Sequence, residues 1–342
     1  MNLPITALRT FLAFGAYGVL TLSSWAQTPA PTTYAITHAK IFTISGAPIE
    51  EGTLLIKDGK IAAIGTDVAI PGDAKVIDAK GLQIYPGLFD SVTQMGLSEI
   101  GAVRATVDTT ETGEFNPDVI AATAVLPSSA HIPVARAAGI TEVLAVPASG
   151  GFDSGGATNL VGGQASAIYL AGWTIEDMAI RRNVAMVLDW PEIETRTFDT
   201  NTFSMKDKPF SEAKKEYDKR VDQLTNWLEQ SRHYAQTLEK SPAGSFDRDV
   251  KLEAMAPVVR GQMPVLVFAD SARDIRNAVE FCEAQKLRMI LAGGTEAWKV
   301  KDLLRSKNVP VILRPTLGGP SEEDDPYDRL LTQPAELSLI HI

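Results

Sequence analysis

Apolar positions fall into three regimes along the chain. A continuous apolar run at 11–22 comes first, behind the single positive side chain Arg9. From 34 to 84 short β-branched runs at 35–44, 52–56, 60–64 and 75–78 alternate with the turn signals Asp58-Gly59, Gly65, Pro71-Gly72 and Gly81. That rhythm predicts a small antiparallel sheet with tight hairpins, Asp58-Gly59 being the strongest hairpin signal present. After Pro86-Gly87 apolar strands alternate with helical stretches, the pattern of βα units around a parallel sheet. Seven strands are expected, at 84–90, 141–147, 165–170, 184–190, 263–269, 288–292 and 309–313, one short of an eight-stranded barrel. The longest helix is expected at 211–238, where Ala213, Tyr217, Val221, Leu224, Leu228 and Ala235 recur at helical spacing against a charged opposite side. Its position between the fourth and fifth strands suggests a cover over one mouth of the barrel. Shorter helices are expected at 274–285 and 296–306.

The first regime reads as an export signal. Twelve or so apolar residues are too few for the roughly 20 that span a bilayer, and the small residues Ser24 and Ala26 stand where a signal peptidase reads. Residues 1–26 are therefore expected to be a cleaved signal peptide, with a membrane anchor as the alternative, and 27–33 a flexible leader. The mature protein is then periplasmic or secreted, with no membrane association after cleavage. The chain's 342 residues, 45% hydrophobic and 22% charged, can bury a large core without disulfides. A net charge of −10, with no block of Lys or Arg, argues against a nucleic-acid partner. The expected partner is a small molecule, and nothing in the sequence sets the oligomeric state.

The segment Val76-Ile77-Asp78-Ala79-Lys80-Gly81, followed by Ile84-Tyr85-Pro86-Gly87-Leu88-Phe89-Asp90, resembles the entrance to the amidohydrolase superfamily, especially its imidazolonepropionase-like branch. The hairpin stretches Leu55-Ile56-Lys57-Asp58-Gly59-Lys60-Ile61 and Ala63-Ile64-Gly65 carry the same likeness. The resemblance implies an α/β fold: a (β/α)8 TIM-type barrel, here with about seven strands, and a small N-terminal β-sandwich subdomain at 34–85, half of a composite domain. The barrel would occupy 86–336. The implied activity is hydrolysis of a non-peptide carbon–nitrogen bond in a cyclic or small amide, usually with zinc.

The positions that the resemblance assigns to metal ligands hold other residues. The pair expected after Asp90 is Val92 and Gln94, the run at 184–190 has no lysine, Phe268 stands where the fifth strand would offer histidine, and Ala292-Gly293-Gly294 where the sixth would. The four histidines, His38, His131, His233 and His341, fall elsewhere. No cofactor is therefore expected, zinc being the default if a metal binds, and the alternative function is a metal-free pseudo-enzyme that binds a ligand or a protein.

Candidate site residues are then the polar groups at the expected C-terminal strand ends. Asp90, Asp270 and Glu296 are candidate acid/base carboxylates, and Gln94, Asp189 and Ser271 candidate pocket residues, joined by Glu99, Asp108, Glu111 and Glu114 in a loop. The competing account has Asp270 and Ser271 capping the next helix, and Thr295 or Glu296 opening another. Gly150, Gly151, Gly155 and Gly156 suggest a barrel-top loop or ligand lid. Cys282 reads as a buried thiol, and Trp173, Trp190, Trp227 and Trp298 as core or pocket aromatics. The last six residues, Leu337-Ser338-Leu339-Ile340-His341-Ile342, match the in-frame translation of a transposon mosaic-end adapter. Natural sequence is accordingly expected to continue from near Glu336 into a final barrel strand.

Overall fold

The computed structural model describes residues 33–147, 159–199, 202–240, 247–313, 317–319, 322 and 324–339. The signal, nearly all of the leader, the glycine-rich stretch at 149–156 and residues 340–342 lie outside them. Contacts divide the chain into two units, one ending at Pro86 and one beginning at Gly87.

The first unit is a single mixed sheet of β1 (Tyr34–Ile41), β2 (Ile49–Lys57), β3 (Lys60–Gly65), β4 (Lys75–Asp78) and β5 (Gln83–Ile84). Its strand order is β3-β2-β1-β4, with β5 also on β1. The β2–β3 hairpin turns at Asp58-Gly59, both with positive φ (52° and 72°), which explains why Asp-Gly marks it so clearly. The expectation of an all-antiparallel sheet fails at β4 and β5, which run parallel to β1. The chain after β3 passes β2 and returns beside β1 instead of turning back on β3. Ala39, Ile41, Leu54 and Ala79 form the small core.

The second unit is built on a seven-stranded sheet, a nearly closed barrel wall, in the order β14-β13-β12-β9-β8-β7-β6. Its strands are β6 (Leu88–Thr93), β7 (Ile140–Ala145), β8 (Val161–Tyr169), β9 (Ala179–Asp189), β12 (Val265–Ala269), β13 (Met289–Gly293) and β14 (Val311–Leu313); β10 (Arg196–Asp199) and β11 (Ser204–Asp207) form a separate hairpin. All seven predicted strands are present. One runs against expectation: β8 is antiparallel to both β7 and β9. A parallel neighbour needs a crossover of a dozen or more residues, whereas β8 and β9 are joined by a short loop and the one-turn helix Ile175–Met178.

Side chains alternate across this wall with period two. Val265, Val267, Met289 and Leu291 join the helices in the largest core cluster. Leu266, Phe268, Ile290 and Ala292 face the other way, with Val92, Leu144, Val146, Ala165, Ala185, Val187 and Ile312. Every strand of the wall contributes to this second cluster, so it is the filled interior of the barrel. The long helix Phe210–Lys240 does not cover the mouth. Its stripe of Tyr217, Leu224 and Leu228 belongs to the outer cluster, because the periodic apolar face is satisfied by the backs of β9 and β12. Among the described residues no helix is long and apolar enough to cross a membrane.

Candidate functional site

The parallel strands end together, and the predicted polar groups on β12 and β13 meet there. Asp270 follows β12; its Oδ1 accepts hydrogen bonds from the Thr295 backbone N–H at 3.1 Å and the Thr295 hydroxyl at 2.6 Å. The Asp270 carbonyl also accepts from Glu296 N at 2.9 Å. Glu296, itself buried, turns back so that its Oε2 accepts from Ala272 N at 2.7 Å, while Lys299 donates to Oε1 at 2.8 Å. Lys299 bridges on to Asp325 at 3.0 Å. These two carboxylates, Glu296 foremost, push the Lys299 pKa upward and keep the ammonium charged.

Ser271 is the N-cap of helix Ala272–Ala284, its Oγ accepting from Asp274 N at 3.1 Å and donating to Asp274 Oδ2 at 2.5 Å. The helix starts two residues before the expected Asp274. The capping account thus describes Ser271, with two adjustments: Asp270 ties the start of the next loop instead of capping, and Glu296 serves the preceding helix. The helix expected at 296–306 opens as a 3-10 turn, Ala297–Val300, with no side-chain cap at Glu296, whose carboxylate is engaged elsewhere.

Gly293 shows how tightly this end is closed. Its φ is +95°, and a Cβ added there would stand 2.8 Å from Asp270 Oδ1 and 3.2 Å from the Ala269 carbonyl. Asp270 occupies the space a side chain at 293 would need.

The other predicted residues are spread around the wall. Asp90 lies on β6, at one edge of the sheet and four strands from β12, with Val92 N at 3.4 Å from its Oδ1. Gln94 is half-buried just past β6. Asp189, buried, ends β9 opposite Phe268 and one dyad after the interior residue Val187. Asp108 and Glu111 line a cavity of about 110 Å3 with Pro147, and Glu114 Oε2 accepts from Gln223 on the long helix at 3.3 Å. Glu99 Oε2 accepts from Ala130 N at 3.2 Å, and the Glu99 carbonyl lies 2.8 Å from His131 Nε2. Sequence reasoning missed Glu192, beyond β9. Its carboxyl pKa is pushed up by desolvation first, then by Asp274, Asp270 and Glu194, with Arg273 opposing.

Among the described residues no group of three or more His, Cys, Asp or Glu is disposed to hold a metal ion. His38 pairs with Asp78 at 2.9 Å in the first unit, and His233 lies on the long helix. Cys282 is buried in the outer core, which pushes its thiol up to about 12, so it is not a thiolate nucleophile. Trp190 packs on Tyr217 and Phe281, Trp227 stacks on Phe115, and Trp298 lies under the Arg329 guanidinium at 3.8 Å. Trp173 alone of these four is largely exposed.

No protein-family model matches the chain. Among solved structures, an amidohydrolase from Thermotoga maritima superimposes with a TM-score of 0.74 at 23% identity, over 90% of this chain and 76% of that one. This chain therefore has the fold of that amidohydrolase. Among curated proteins, the N-acyl-D-aspartate deacylase of Alcaligenes xylosoxydans xylosoxydans is 38% identical over 65 residues, 19% of this chain and 13% of the deacylase. The dihydroorotase of Mycobacterium tuberculosis is 39% identical over 93 residues, 27% of this chain and 21% of the enzyme. The chain thus matches about a fifth or less of the length of either curated relative.

Proposed function

We propose that this chain is an exported member of the amidohydrolase superfamily, of the imidazolonepropionase-like branch, that takes a small amide-like molecule at the C-terminal mouth of its barrel without the family's metal centre. The apolar interior carries this reading. Val92 and Phe268, at two positions where the resemblance places metal ligands, pack with Leu144, Val146, Val187, Leu266 and Ala292. At a third, Ala292-Gly293-Gly294, there is no ligating side chain, and a Cβ at Gly293 would stand 2.8 Å from Asp270 Oδ1. Zinc needs three or four nitrogen, oxygen or sulfur donors converging at about 2 Å, and the residues present at these positions do not fit it.

A second reading, hydrolysis of a non-peptide carbon–nitrogen bond, is favoured by the local likeness to a deacylase and a dihydroorotase. Water attack on a carbonyl would then draw on carboxylates of the mouth. Asp189 is the candidate by position, on the inner face at the end of β9 opposite Phe268.

The test is metal analysis of protein purified from zinc-supplemented cells, together with turnover of dihydroorotate and N-acetyl-D-aspartate. The first reading expects far less than one zinc per chain and no turnover above background. About one zinc per chain, with hydrolysis that a chelator abolishes, overturns it. Metal-free hydrolysis lost in Asp189→Asn replaces it with the second reading. Export is tested on the periplasmic fraction, where mass spectrometry should find a mature chain beginning at Gln27; an intact Met1 terminus in the cytosol would refute it.

A further inference from the structure

A second cavity, of about 380 Å3, lies at the opposite end of the barrel wall from the mouth. Strand direction puts it there. The helix His131–Ala137 leads into the start of β7, and the reversed β8 finishes beside that same start, with Tyr169 opposite Glu142 and Leu170 N bonded to the Thr141 carbonyl at 2.8 Å. Two fully buried side chains, Leu170 and Met178, contribute an apolar floor, while Ser128, Ser129, Arg136 and Trp173 stand around it. The volume is that of a small-molecule site.

Two features of the walls point to a ligand. Trp173 is 91% exposed, yet the hairpin that carries it is firmly built. Thr174 and Asp177 form a capping box, and Asp177 Oδ2 accepts from both Trp173 N at 3.4 Å and Thr174 N at 3.3 Å. Gly172, at φ +143°, lets the chain pass where a Cβ would meet Met178 Cγ at 2.7 Å. The indole is thus held out in solvent by a defined turn. Arg136 is the second feature: among the described residues its guanidinium has no ion pair or hydrogen bond, in a chain where acids outnumber bases by 42 to 32.

We propose that this cavity binds a small planar carboxylate, an aromatic acid in chemical class, with its flat body against the Trp173 indole and its carboxylate on the Arg136 fork. An indole face suits a flat unsaturated ring, and a guanidinium offers two parallel N–H donors matched to the two oxygens of a carboxylate. The exposed hydroxyl of Ser128 gives a further donor at the rim. This site is independent of the reading of the mouth.

Benzoate and its neutral isostere benzamide are the probes, titrated into the full mature chain and followed by calorimetry. Benzoate should bind saturably, and benzamide at least about tenfold more weakly. Arg136→Gln and Trp173→Ala should each weaken benzoate about tenfold or more with an unchanged melting temperature, and Arg136→Lys, which keeps the charge but loses the fork, should fall between. Absence of saturable benzoate binding up to about 10 mM, equal binding of benzamide by the parent protein, or folded variants that bind benzoate like the parent would each overturn the proposal. The benzamide comparison needs no variant, so it decides the matter even if a substitution disturbs folding.

Discussion

Where β12 and β13 end, Asp270, Ser271, Asp274 and Glu296 each accept hydrogen bonds from neighbouring backbone or hydroxyl groups. Beside the start of β7, the Arg136 guanidinium has no hydrogen bond or ion pair among the described residues, and Trp173 stands in solvent. Both ends offer ionisable groups, so polarity alone does not separate them. What separates them is whether the groups already have partners within the fold. A carboxylate that anchors a loop is a structural element first, and removing it should be felt as lost stability. An exposed guanidinium without a partner contributes almost nothing to folding and is available to a ligand.

Substitution can break this contrast, most forcefully with two aromatic residues. Phe268→Ala should cost about 3–5 kcal/mol in urea unfolding, because it empties the barrel interior, while Trp173→Ala should stay within about 0.5 kcal/mol of the parent. Comparable losses in both would show that Trp173 is a packing residue. Next in size is the polar pair. Ser271→Ala should cost about 1 kcal/mol through loss of the helix cap, against no measurable change for Arg136→Ala, as read from melting temperatures.

The smallest effect concerns Glu192. Its carboxyl is raised above the ordinary value of 4.5, so its ionised form is disfavoured in the folded state. Below the ordinary carboxylate range the group is neutral in both states and contributes no penalty; as pH rises through the window between 4.5 and the raised value, folded stability is lost. Glu192→Gln should therefore raise the melting temperature slightly at pH 7, by no more than about 2 °C, and leave it unchanged near pH 3. A variant less stable at pH 7 would mean that the ionised carboxylate is favourably held.

The strands were legible because runs such as Val265-Leu266-Val267-Phe268 are apolar on both faces, and both faces of this wall are buried. Strand direction was not: the period-two pattern of β8 is the same read either way. The signal available was the short Leu170–Thr174 link, which no parallel neighbour permits. The β10–β11 hairpin escaped notice because Arg196-Thr197-Phe198-Asp199 and Ser204-Met205-Lys206-Asp207 are mostly polar and pair through charges, Arg196 with Asp207 at 3.3 Å and Lys206 with Asp199. At the mouth, residue types at strand ends located Asp270, Ser271 and Glu296 but gave no view of who bonds whom. The Arg136–Trp173 cavity was invisible for a different reason: it assembles only after β8 folds back beside β7.

That reversal has a kinetic side. An all-parallel wall makes each new strand pair wait for an entire helical crossover, so its contacts close long loops and form slowly. Here β8 and β9 pair across a short connection, while the pairing of Val265 with Met186 spans the β10–β11 hairpin and the long helix. The β8–β9 hairpin, where Ile168 pairs with Ala179, is thus the most local pairing of the wall.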